Sequence, residues 1–146
     1  MIKKVKVHRV TIVNIQTGDD PGDDLEIYGY LVTNLLELQD GQFVVVWGAK
    51  HWERGDGDPL SLTVGQSYPV DYEVALFIRP GQFLQVGGFI GESDTFGPND
   101  DLGTRGKEFP YSQLIPSMAP VTVEFRDGNQ IIHAVFDIWP EPEIAG

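Results

Sequence analysis

The sequence predicts an all-β fold, a single antiparallel β-sandwich of about eight strands, and three observations carry that prediction. Short apolar stretches alternating with polar residues recur along the 146 residues. Gly, Pro, Asp and Asn fill the gaps between them. No stretch sustains the 3.6-residue apolar period of an amphipathic helix, and no repeat or low-complexity tract is present. The length suits one domain with a real core. It is expected over residues 1–139, with a flexible tail at 140–146 rich in Pro and Glu.

Residues 2–15 read as the first strand. Val5 and Val7 alternate with lysines, and the apolar phase then moves to Val10 and Ile12. A slip of one in a period of two predicts a bulge near His8 and Arg9. Residues 18–24 are a loop. Residues 25–36 return to strand character, and the Asp40-Gly41 turn leads into a strand over 41–48. Residues 50–59 are polar, and 60–64 suit a short strand. Residues 72–79 and 83–91 flank the Pro80-Gly81 turn. A short strand is expected at 105–109, and a connection at 111–120. A closing hairpin turns at Asp127-Gly128, which would pair Val123 with Ile132 and Val121 with Ala134.

Composition removes several function classes. There is no cysteine, hence no disulfide, thiolate metal site or cysteine nucleophile. The net charge of −12 argues against nucleic acid, whose phosphates need Lys and Arg, and against adsorption to anionic lipid. The N-terminus lacks the apolar h-region of a Sec signal peptide, and no apolar stretch approaches the ~18 residues of a transmembrane span. The expectation is a soluble chain, cytoplasmic or exported by another route. No G-x-S-x-G, P-loop, H-E-x-x-H or Rossmann pattern occurs. His8, His51 and His133 are scattered, so the chain is expected to bind rather than catalyse.

The acids are not spread evenly. Asp19, Asp20, Asp23, Asp24 and Glu26 fall in one short stretch, and Glu92, Asp94, Asp100 and Asp101 in another. Concentrated like charge costs self-repulsion unless a cation offsets it. In an antiparallel order, alternate connections emerge at opposite ends. Strands at 2–15, 25–36, 41–48, 72–79 and 83–91 therefore put the connections 16–24, 49–71 and 92–101 at one end. A full extra strand at 60–64 would invert that arrangement.

Oxygen donors without His or Cys suit Ca²⁺, which takes 6–8 oxygens in flexible geometry. Zinc would call for N or S ligands. Glu92 and Asp94 are two apart and leave one face of an extended chain, and Asp100 follows six later across a Gly-Pro-Asn turn. Asp20 and Glu26 are also six apart across Pro21-Gly22. The predicted ligands are Asp20, Glu26, Glu92, Asp94 and Asp100. A shift of register would bring in Asp19, Asp23, Asp24 or Asp101, and Asp56 and Asp58 are further candidates that also suit plain turns.

This pattern resembles the C-two domain, the calcium-dependent phospholipid-binding β-sandwich. Its first loop runs Asp-x5-Asp into Asp-Pro-Tyr, and Glu26-Ile27-Tyr28 stands at that place. Its third loop runs Asp-x-Asp-x5-Asp, matched by Glu92, Asp94 and Asp100, with Asp101-Leu102-Gly103 following. The first loop comes directly after the first strand, which resembles the circularly permuted variant whose last strand fills the place of a missing first one. Glu replaces Asp at 26 and 92, the Pro of the first motif is absent, and the family's basic groove is not evident. The resemblance implies Ca²⁺ as cofactor and a phospholipid surface or protein as partner.

Phe96 lies between predicted ligands, either packed beneath the loop or forming an apolar tip for a membrane interface. Trp47 is expected in the core. Trp52, in a polar stretch, is expected at the surface, where it would stack on a sugar or a partner or pack against a loop. Trp139 is expected to cover the C-terminal edge. The function expected is a non-catalytic Ca²⁺-binding module. The alternatives are a metal-independent subunit of a larger assembly or secreted toxin, and a Ca²⁺-assisted carbohydrate binder.

Overall fold

The computed structural model describes residues 1–18, 24–94 and 97–145. Asp19, Asp20, Asp23 and Phe96 therefore lie outside the described residues. The strands are β1 Lys3–Thr17, β2 Leu25–Gln39, β3 Gln42–Arg54, β4 Leu60–Leu62, β5 Ser67–Val70, β6 Val74–Ile78, β7 Gln82–Glu92, β8 Asp100–Pro110, β9 Val121–Asp127 and β10 Gln130–Pro140. A 3-10 turn at Tyr111–Gln113 follows β8. Among the described residues no helix is long and apolar enough to cross a membrane.

Two antiparallel sheets result. One runs β5-β1-β10-β9 with β6 also on β1, and the other runs β3-β2-β7-β8 with β4 also on β2. β6 pairs with Lys3 to Val7 and β5 with Val10 to Val13, so the two form one interrupted edge. Ile27 pairs with Leu60 on one side and Glu92 on the other. β4 thus continues the line of β3 instead of reversing it. The antiparallel sandwich expected from sequence stands, and among the described residues ten strands take the place of about eight because β3–β4 and β5–β6 each share one edge. Because residues 60–62 do not reverse the chain, the parity argument also survives.

The alternating pattern explains the core. Val5 and Val7 point inward, the ladder to β10 slips between Val7 and Arg9, and Val10 and Ile12 then point inward in the shifted phase. The expected bulge is where the period slipped. Leu25, Ile27, Leu31, Leu84, Val86 and Ile90 meet them from the facing sheet, with Phe125 and Phe136 from the hairpin. Each such side chain contributes about 1.5–3 kcal/mol of burial. Past β10, Glu141 N–H donates to Lys4 O at 2.8 Å, Ile144 bridges to Ile2, and Tyr111 hydroxyl donates to Glu143 at 2.6 Å.

Four sequence expectations need correction. The closing hairpin turns at Gly128 and Asn129, with Asp127 opposite Gln130, so Val123 meets Ala134 and Val121 meets Phe136. Gly128 takes the left-handed conformation at φ +57, which puts the turn one residue later. Partners move by two, so the apolar face is preserved. β8 begins at Asp100 rather than at 105, because its ladder with β7 recruits residues whose own preference is for turns.

The two tryptophans exchange roles. β3 runs through the polar span to Arg54, and His51 is an extra residue between the pairs Leu31–Trp52 and Val32–Lys50. That bulge leaves both His51 and Trp52 buried, Trp52 within the core at 7% exposure. It therefore offers no surface for stacking on a sugar. Trp47, on the outer edge strand, is 42% exposed instead of core. Trp139 is exposed and stacks on His8 at 3.9 Å between centroids.

His51 is held on both sides. Its Nδ1 bonds the Tyr72 carbonyl at 2.8 Å and its Nε2 lies 2.6 Å from Thr33 Oγ1. A carbonyl only accepts, so Nδ1 carries the hydrogen and Nε2 accepts from the threonine hydroxyl. Burial lowers the His51 pKa, only partly opposed by the Tyr72 bond. The folded state thus prefers the neutral ring, and this stabilisation is lost as pH falls below 6.5 toward the lowered value. Thr33→Val leaves Nε2 buried and unpaired. It is expected to cost about 1–3 kcal/mol in urea denaturation at pH 7.5. An unchanged midpoint would show that the bond contributes nothing.

Candidate metal centre

Among the described residues, Glu26 and the stretch from Glu92 to Asp100 meet at the end of the sandwich where β2 starts, β7 stops and β8 starts. The pairing there is specific. Ile27 lies opposite Glu92, and Glu92 lies opposite Asp100 on the far side. Like charges directly opposite in an antiparallel pair are destabilising. Ser93 N–H donates to Glu26 O at 2.8 Å, which ties the start of β2 to the connection after β7. Asp94 N–H donates to Asn99 Oδ1 at 3.0 Å. Ser93 Oγ donates to Asp56 O at 3.2 Å, and Asn99 Nδ2 to Asp56 Oδ2 at 3.4 Å. Three segments distant in sequence are knitted together.

Electrostatics show which carboxylates share this space. The Glu92 carboxyl is pushed up from 4.5 to about 7, first by burial, then by Asp100, Asp94 and Glu26. Among the described residues no Lys, Arg or His forms an ion pair with Glu26, Glu92 or Asp100.

The other candidates divide. Asp56 reaches the cluster through its bonds to Ser93 and Asn99. Asp24 accepts from Ser61 Oγ at 3.0 Å, and Asp101 caps the β8 bulge by accepting from Gly103 N–H at 2.7 Å. Asp58 is strongly exposed and lies 3.8 Å from Arg54. Asp19, Asp20 and Asp23 lie outside the described residues. Sequence reading missed Asp127. With Gly18, Asp100 and Gln130 it lines a hollow of about 350 Å³ at the same end. The signal was available, since strand parity applies to the β9–β10 turn as well.

The donors are all oxygen and strongly acidic, which fits Ca²⁺ in kind. As they stand, no group of three or more His, Cys, Asp or Glu among the described residues is arranged to hold a metal ion.

No protein-family model and no curated protein sequence matches the chain. Among solved structures, it is similar to the C-two A domain of plant extended synaptotagmin 1, with 16% identity over 97% of this chain and 96% of that one and a TM-score of 0.44. It is also similar to a C-two domain protein from Ramazzottius varieornatus, with 6% identity over 97% and 90% of the two chains and a TM-score of 0.40. In the chain's own strand order β10 lies beside β1 in one sheet, and β2 lies beside β7 in the other.

Proposed function

We propose that the chain is a non-catalytic Ca²⁺-binding module that docks onto a membrane surface or a protein partner. Glu26, Glu92, Asp94 and Asp100 supply carboxylates, with Asp20 completing the set from the first acidic segment; Asp56 is tied to this end through Ser93 and Asn99, and Asp127 shares a hollow with Asp100. The ion neutralises and locks this end of the sandwich. The observation that supports the reading is the Glu92 carboxyl, raised to about 7 by burial and by Asp100, Asp94 and Glu26. At a net charge of −12, docking to anionic lipid has to depend on the ion. Phe96 is the side chain proposed to touch lipid.

Thermal melts in EDTA and in Ca²⁺ at pH 7.5 test the metal. Ca²⁺ at 100 times Kd adds roughly 2.7 kcal/mol, which corresponds to a rise on the order of 8–10 °C for a chain of this size. Asp94→Asn is expected to remove most of it. A melting temperature indifferent to Ca²⁺ overturns the site. Sedimentation with anionic vesicles then separates the partners. Ca²⁺-dependent sedimentation that Phe96→Ala abolishes marks a membrane surface, and its absence in a Ca²⁺-binding chain leaves a protein partner.

A further inference from the structure

The two sheets present four outer edges, and three are guarded. The β8 edge carries Arg105, Lys107 and Glu108, the β9 edge Glu124 and Arg126, and the β5–β6 edge Pro69 and Asp71. Charges and prolines of this kind are how native sheets keep other strands away. The fourth edge, β3, has no charge and no proline over residues 42–49, and its one irregularity there is a bulge at Val46, the extra residue between the pairs Leu35–Trp47 and Leu36–Val45. Phe43, Val44, Val45, Val46 and Trp47 follow one another there, each at least 36% exposed. Among the described residues β3 pairs with β2 alone. Its outer backbone groups along this strip have no strand beside them.

We propose that this strip is the interface of a homodimer, in which β3 pairs antiparallel with β3 of a second copy across a two-fold axis near Val45. The sequence is self-complementary about that point. Phe43 and Val44 precede it and Val46 and Trp47 follow it, so apolar side chains meet apolar side chains on either side of the Val46 bulge. A chain of −12 opposes its own association wherever acids would meet, and this is a stretch where two copies can touch with no acid between them. The exposed parts of these side chains and Leu38 amount to roughly 500 Å² of apolar surface per copy. Two copies together bring about 1,000 Å², the low end of specific interfaces, which suits a weak, concentration-dependent dimer. Each copy has one such edge, so the pairing closes at two and joins the β3-containing sheets into one continuous sheet.

Sedimentation velocity on the full chain, over roughly 5–200 µM and in both EDTA and Ca²⁺, tests this. The expected result is a concentration-dependent dimer in both solutions. Val45→Lys sets two ammonium groups at the axis and is expected to give a monomer with unchanged circular dichroism and melting temperature, since Val45 is exposed. A native chain that stays monomeric at ~200 µM overturns the proposal, as does a Val45→Lys variant that still dimerises. A monomer that sediments with phosphatidylcholine vesicles, and ceases to on Val45→Lys, overturns it in favour of a lipid surface.

Discussion

Glu92→Gln is expected to make the chain more stable in EDTA and insensitive to Ca²⁺ at the same time. Glu92 sits between Ile27 and Asp100 at the end of β7, and its carboxyl is raised from 4.5 to about 7. The folded state therefore binds this proton more tightly than the unfolded chain does. The corresponding stability is fully present below about pH 4.5 and is lost as pH rises through about 7. Glu92 is only half-buried, so solvent screening reduces the loss to on the order of 1–2 kcal/mol. A neutral amide of the same shape removes that loss. Melting in EDTA at pH 8 is expected to rise by about 3–6 °C over the parent chain, and at pH 5 the two should nearly coincide. Ca²⁺ reverses the order at pH 8, because the parent gains the ion and the variant loses a ligand. A carboxylate that serves structure would instead lower the melt in both solutions. That outcome would falsify the reading of Glu92 as a strained member of a cation site.

The sheet architecture and the position of the acidic end were legible because both rest on periodicity. A slip of one residue located the β1 bulge at His8, and counting reversals put Glu26 and Glu92 at the same end before any contact was known. The failures share a cause. His51 is an extra residue in an edge strand, and nothing in a polar stretch marks which residue a ladder will skip. That one bulge inverted the expected exposure of Trp52. Trp47 looked like core because it continues an apolar run, yet whether an edge strand is covered depends on its neighbours, which alternation does not report. Asp100 read as a turn because Asp favours turns, and the ladder with Glu92 overrode that preference. The same override changes the candidate site. Glu92 and Asp100 are not two acids on one loop but a cross-strand pair, and their mutual repulsion follows from the register. Asp127 was missed because the closing hairpin was read for its pairing alone.

Gly88→Ala is expected to be among the most damaging glycine substitutions of the described residues. Gly88 sits in the middle of β7, opposite Leu31 of β2 on one side and Arg105 of β8 on the other. A Cβ placed there falls inside the van der Waals shell of the Tyr30 carbonyl, and its backbone φ of +155 is one that side chains rarely adopt. The obstruction is main chain, so no rotamer change relieves it. β2 and β7 have to separate where their ladder is continuous from Ile27 to Glu37. The cost is expected to exceed about 3 kcal/mol in urea denaturation. Gly41→Ala provides the comparison. Gly41 has φ +78 with nothing within 4 Å of a new Cβ, so only conformational strain is added, about 1 kcal/mol. Equal costs at the two positions would mean that the close approach of β2 to β7 is not what requires glycine at 88. If the approach does require it, Gly88→Ala should also diminish any Ca²⁺-induced stabilisation, although the residue touches no ligand. The same strand that it displaces ends in Glu92, and the pairing of Glu92 with Ile27 and Asp100 is what holds the acidic segments together.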